Sequence, residues 1–187
     1  MGREIRRVPP GWQHPRKKCE HSPWFGGCSE ALENDGYCYQ PMHDRVWAEE
    51  MAKYDVEEAA WDRGERPEYC DPDYKGSFVD WNGEPPDPAY YRPAWTAEPT
   101  HYQVYETVSE GTPLTPVFAT QAELVDYLAE HGTSWDQFRM REGKQPRAGW
   151  GRENAEAFVG VGWMPSMVMQ GGKILEPKDF LKKKEKE

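Results

Sequence analysis

The chain lacks the features that would assign it most directly. It has no run of about 20 apolar residues to cross a bilayer. Its first stretch, MGREIRRVPPGWQHPRKKC, has no apolar segment of the kind a secretion signal needs, so a cytoplasmic setting is the expectation. Position 6 is Arg6 where a myristoylation motif wants Ser or Thr. Catalytic signatures are missing too. There is no G-x-S-x-G elbow, "SEGTP" at 109 to 113 lacks the Lys-Ser or Lys-Thr of a phosphate loop, and "GVGWMPSMV" has the wrong glycine order for a dinucleotide fingerprint. Nothing in the sequence points to an enzyme. Apolar residues are scarce, at 37% of the 187 residues against 30% charged. A core built from so few must lean on large side chains, and nine Trp, ten Tyr and six Phe supply them. That aromatic content also excludes disorder throughout, since disordered chains are poor in aromatics.

Charge is uneven. The net charge is −10, yet residues 1 to 18 carry Arg3, Arg6, Arg7, Arg16, Lys17 and Lys18 against Glu4 alone, and the tail 178–187 is rich in lysine. Between Asp44 and Asp73 acids dominate. Such a stretch keeps a protein soluble, or presents a negative surface that competes with DNA or docks on a basic partner. The basic start reads as an extended arm that packs through Ile5, Val8 and Trp12 and could touch nucleic-acid phosphates.

Periodicity places the elements. From Asp44 to Arg63 the residues Trp47, Met51, Tyr54 and Trp61 keep to one helical stripe with acids opposite, and Gly64 stands where the helix should end. Residues 65–99 hold seven prolines, which limits regular structure to a turn at SFVDW. "HYQVYETV" from His101 alternates as a half-buried strand does. Thr120 and Glu123 form a capping box ahead of Leu124, Tyr127 and Leu128, with Gly132 past the helix end. Short helices are expected from Ser134, acting as cap, to Arg141 and from Arg152 to Val159. Gly171 and Gly172 between two apolar runs mark a hairpin. The fold class is α+β: a small antiparallel sheet, a few helices and long Pro-rich loops.

Several blocks, "GREIRRVPPGWQHPR", "YQPMHD", "GEPPDPAYYRPAW", "YETVSEGTPLTPVFATQAELVDYLAEHG" and "PSMVMQGGKI", resemble a widespread family of small proteins encoded by tailed phages and prophages. The resemblance covers most of the chain in order. It implies a phage origin and an intracellular setting, and carries no activity with it. It also implies that the stretch after GWQHPR is an insertion, so the chain divides into a basic arm at 1–18, a Cys/His insertion at 17–42, and one α+β domain at 43–187.

Within that insertion Cys19, His21, Cys28 and Cys38 supply four ligands that suit tetrahedral zinc, with His43 or Cys70 as substitutes. Their spacing is loose and holds no C-x2-C knuckle, so reduced thiols in a cytosolic protein are the alternative. For small ligands the aromatic surplus offers Tyr91, Trp95, Trp135 and Trp163 to stack on a base and Arg92 to meet a phosphate. Two functions therefore stand side by side. One is a non-enzymatic phage protein that binds a host factor, in counter-defence or host takeover. The other is a protein that binds or sequesters a nucleotide-like ligand, or a zinc-stabilised protein associated with nucleic acid. The zinc expectation is tested by elemental analysis, which should find close to one zinc per chain. Chelation should then confine protease cleavage to about residues 17–40, because a metal contributes folding energy only to the segment it closes. Metal-free protein whose segment already resists protease would overturn it.

Overall fold

The computed structural model describes residues 2–18, 37–107, 111–165, 168–170 and 173–175. They form a mixed α+β fold that divides into two compact units, one of residues 1–41 with 95–187 and one of residues 42–94. The sequence reading had placed 43–187 in a single domain. The Pro-rich stretch accounts for the difference, because its Tyr74, Phe78 and Trp81 pack on Tyr54 and Trp61 of the acidic helix that precedes it.

The first unit is built on a four-stranded antiparallel sheet in the order β7-β6-β1-β8. Strand β1 (Gly2–Val8) lies inside it, paired over six positions with β6 (His101–Glu106) and over Gly2 to Glu4 with β8 (Trp163–Pro165). The short strand β7 (Thr112–Pro113) closes the other edge against β6. The first half of residues 1–18 is therefore a sheet strand, with Val8 buried and Ile5 packed on the core. Arginines of this strand are engaged within the sheet. Arg6 bonds Glu4 at 2.6 Å and lies over the Tyr105 ring, 4.4 Å from its centroid; Arg7 lies over Tyr102 at 4.6 Å. A guanidinium stacks on an aromatic face and keeps its charge solvated or paired at its rim, which is how a strand this basic can be internal.

Strand β6 was expected to be half-buried. Instead Gln103 through Glu106 are all buried. Val104 faces a core formed with Leu124, Leu128, Trp150, Phe158 and Met164, while Tyr105 on the opposite face is covered by Trp12 and His14. Three helices complete the unit: α3 (Gln121–His131), α4 (Ser134–Arg141) and α5 (Arg152–Val161), with α3 packed on α5. The expected Thr120–Glu123 capping box is present, with the Glu123 amide donating to Thr120 Oγ1 at 3.2 Å. The cap of α4 is Thr133, not Ser134. Both the amide and the hydroxyl of Thr133 donate to Asp136 Oδ2, at 3.0 and 2.6 Å. A third donor, the indole N–H of Trp150, reaches the same oxygen at 2.8 Å.

Two two-stranded ladders flank this framework. Strands β9 (Val168–Gln170) and β10 (Lys173–Leu175) pair antiparallel, as the Gly171-Gly172 signal implied. Strands β2 (Arg16–Lys18) and β3 (Tyr37–Tyr39) pair antiparallel.

In the second unit, β4 (His43–Val46) pairs in parallel with β5 (Tyr91–Arg92) and leads into α1 (Trp47–Asp62). Glu49 and Glu50 in the first turn suit the positive end of the helix. Gly64, at φ +85°, donates its amide to Trp61 O and stops it. Tyr54 and Trp61 are buried and Met51 half-buried, as the stripe required, but Trp47 is 37% exposed. Its indole N–H donates to Pro86 O at 2.7 Å, which draws the ring toward the loop and out of the stripe. The turn expected at SFVDW is α2 (Phe78–Asn82), started by a Ser77–Asp80 capping box.

Gly132 ends α3 at φ +63°, and a Cβ there would press on the carbonyl oxygen of Ala148. Gly143 has a similar φ, +69°, with open space around it. Gly132→Ala should thus cost about 2 kcal/mol or more, and Gly143→Ala only the smaller part that comes from backbone strain. Denaturant unfolding of both variants measures the difference; equal losses would mean that the close approach to Ala148 carries no weight.

Candidate functional site

The sequence-chosen ligand residues do not gather. Tyr91 and Arg92 form β5, where Arg92 Nε pairs with Asp44 Oδ1 at 3.0 Å and Tyr91 packs on His43 with ring centroids 4.9 Å apart. Trp95 lies edge-on to Trp12 at 5.6 Å. Trp135 packs against the main core beside Phe138, and Trp163 is 47% exposed on strand β8. None of the five lines the three cavities described among the placed residues. Of the zinc set, Cys38 is buried on β3 opposite Lys17, and Cys19, His21 and Cys28 lie outside the described residues. The substitutes differ in setting: His43 stacks with Tyr91, and Cys70 is buried with its thiol near Asp71 O. Among the described residues no three His, Cys, Asp or Glu side chains form a group that could hold a metal ion. No described helix is long and apolar enough to cross a membrane.

One buried polar network stands in the first unit. His14, 6% exposed, borders a cavity of about 460 Å³ together with Trp12, Arg16, Tyr39, Gln103 and Thr115. A carbonyl can only accept, so His14 Nε2–H donates to Gln40 O at 2.6 Å. That leaves Nδ1 as the bare nitrogen of the neutral ring, 3.3 Å from the Tyr105 hydroxyl. Tyr105 accepts from the Trp12 indole at 3.1 Å and donates to Gln103 Oε1 at 2.8 Å, and Gln103 Nε2 donates to Thr115 O at 2.8 Å. The one Tyr105 proton goes to Gln103, so Nδ1 faces the hydroxyl without receiving it. The network joins residues 12–14 and Gln40 to β6.

The second unit is different in kind, because charge and aromatic surface coincide there. Residues 42–94 hold 14 acidic and 6 basic residues, a net −8, so the rest of the chain carries only −2 of the total −10. Glu49, Asp55, Glu57 and Asp62 of α1 are exposed. The field registers on a neighbour: burial first, then the charges of Glu58 and Glu84, push the Tyr54 hydroxyl above its ordinary pKa. Beneath these acids lies a mostly aromatic core of Tyr54, Trp61, Phe78 and Cys70, extended by Met51, Tyr74 and Trp81. Trp81 stacks on Trp61 with centroids 5.9 Å apart and planes 26° apart; Tyr69 stacks in turn on Trp81 at 5.8 Å and 29°. Tyr69 is nevertheless 82% exposed. The ladder borders a cleft of about 330 Å³ whose wall includes Glu57, Arg66 and Asn82. Arg66 covers the other ring of the pair, its guanidinium carbon 3.7 Å from the Trp61 centroid and its Nη1 on Trp61 O at 2.6 Å.

Sequence reading missed Tyr69, Arg66 and Glu57 as a group. Tyr69 and Trp81 sit 12 positions apart in a proline-rich stretch with no period. The only legible signal was the density of aromatics among acids.

The chain matches no protein-family model, no curated protein and no solved structure.

The His14 network makes a pH prediction. Burial, opposed in part by the Gln40 carbonyl and reinforced by the charge of Arg6, lowers its pKa to about 4. The unfolded chain takes up that proton near pH 6.5, so stability is full above that pH and is lost as the pH falls toward 4. The loss from this one group should be about 3 kcal/mol. Urea unfolding between pH 4 and 7 should show that slope, and His14→Gln should flatten it by this amount; an unchanged slope in the variant would overturn the assignment.

Proposed function

We propose that the protein is a non-enzymatic binding protein whose acidic unit, residues 42–94, docks on a basic protein partner. The observation that carries this is the segregation of charge: one compact unit with a net −8 and exposed acids along α1, set over an aromatic core. A concentrated negative surface raises the encounter rate with a basic partner and repels polyanions, which weighs against nucleic acid as the target of this unit. The resemblance to phage proteins gives the partner its setting, a host factor met in the bacterial cytoplasm. The engaged arginines of β1 agree with this reading, since they serve the sheet and not an outside phosphate backbone. Zinc in the Cys/His insertion remains part of the proposal as a support for that segment, without a chemical step.

Affinity capture from host lysate, with the bound proteins identified by mass spectrometry, tests it. Neutralising Glu49, Asp55 and Asp62 together should remove the captured partner, and raised salt should weaken it, because exposed charges are screened over about 10 Å at 0.1 M. The partner should be basic. A matched variant neutralising the exposed acids Glu98, Glu130 and Glu153 should retain it. A partner kept by the first variant, or lost equally with the second, would overturn the proposal.

A further inference from the structure

We infer that the cleft beside Tyr69 and Trp81 receives an arginine side chain from the basic partner, an inference that rests on the docking proposed above and gives it a specific contact. Three features converge on this occupant. First, the cleft has a stacking floor. Tyr69 and Trp81 continue the ladder begun by Trp61, and an 82% exposed tyrosine ring held in a stack offers a flat face to solvent. Second, the wall offers a carboxylate: Arg66 of the same wall is engaged on Trp61, whereas Glu57 is exposed and, among the described residues, bonds the Asn82 amide at 3.4 Å, so its carboxylate keeps acceptor capacity. Third, the molecule already shows the pairing. Arg66 lies on Trp61 at 3.7 Å, and Arg6 and Arg7 lie on Tyr105 and Tyr102 at 4.4 and 4.6 Å.

The chemistry favours arginine over its alternatives. A guanidinium is planar, stacks on an aromatic face while its edge donates two parallel hydrogen bonds to a carboxylate, and is more weakly hydrated than an ammonium. Lysine would satisfy the charge but not the stack. A nucleotide would satisfy the stack, yet its phosphate would face a unit of net −8. The volume, about 330 Å³, is at the small end of ligand pockets, roughly 300 to 1,000 Å³, and suits one side chain with its neighbouring backbone.

Calorimetric titration of the full chain at low salt, with a short capped Gly/Arg peptide, its Gly/Lys counterpart and AMP as probes, tests the inference. Shifts of the tryptophan indole N–H resonances should accompany the binding. The Arg peptide should bind more tightly than the Lys peptide. Tyr69→Ala, which removes an exposed ring and leaves the core intact, should weaken the Arg peptide by about two- to fivefold and abolish the preference. Tyr69→Phe should preserve both, and Glu57→Gln should weaken binding by a similar factor. Equal binding of the two peptides, unaffected by Tyr69→Ala but removed by neutralising Glu49, Asp55 and Asp62, would overturn the arginine site and leave the acidic docking standing. Binding of AMP in preference to either peptide would assign the stack to a base and overturn the site. Failure of both peptides to bind would overturn the site and the docking together.

Discussion

The first unit depends on one buried carboxylate. Asp136 Oδ2 accepts from the amide and hydroxyl of Thr133 and the indole of Trp150, and Arg3 of strand β1 stands 3.9 Å away. A charge in that position would be costly without such company. Burial by itself would raise its pKa, but the charge of Arg3 and the hydrogen bonds from Thr133 and Trp150 outweigh this and hold the carboxyl below its ordinary value. Three segments distant in sequence thus meet at one atom: the first strand, the capped start of α4 and the approach to α5. Trp150 is 1% exposed and also packs edge-on against Phe158 at 5.4 Å, so the polar anchor and the apolar core share a residue. The position of α4, and through it the close approach at Gly132, follows from this arrangement.

The second unit solves a different problem. A stretch with so many acids and prolines has few aliphatic side chains to bury, and it substitutes rings. Tyr54, Trp61, Phe78 and Tyr74 meet at tilted or edge angles, and Trp81 meets Tyr74 edge-on and stacks on Trp61, each ring burying more area than an aliphatic side chain would. Stacked rings leave flat faces at the end of the column, and Tyr69 is where this column reaches solvent. The same choice that stabilises a core poor in Leu and Ile therefore creates a surface able to recognise a planar cation. Stability and recognition draw on one set of residues.

Local rules were legible in the sequence where they were strong. The Thr120–Glu123 box, Gly132, Gly64, the SFVDW turn and the antiparallel pairing on either side of Gly171 and Gly172 were each marked by a short-range residue signal, and the α+β class followed. Long-range pairing was not legible. Nothing in GREIRRV announces an interior strand, because its charged residues find rings and carboxylates contributed by β6 and α4, from about a hundred positions away. Trp47 kept to its helical stripe and still turned outward, since a hydrogen bond to the Pro86 carbonyl competed with burial. Aromatic sites chosen one by one, such as Trp135 and Trp163, fell apart for the same reason: stacking partners are set by tertiary folding, which a list of rings does not contain.

The ladder of Arg16, Lys17 and Lys18 with Tyr39, Cys38 and Tyr37 has a consequence for how such a chain can change. Whatever connects Lys18 to Tyr37 leaves and rejoins the fold at two neighbouring points already tied together by strand pairing. Lengthening the connection adds little closure cost, since that cost grows only with the logarithm of length, and a turn of two to five residues could close the same ladder. The clasp makes this the place where sequence can be gained, lost or exchanged without disturbing the sheet. It is a natural port for grafted binding segments, and one where a reporter or affinity tag can be inserted while both termini are left as they are.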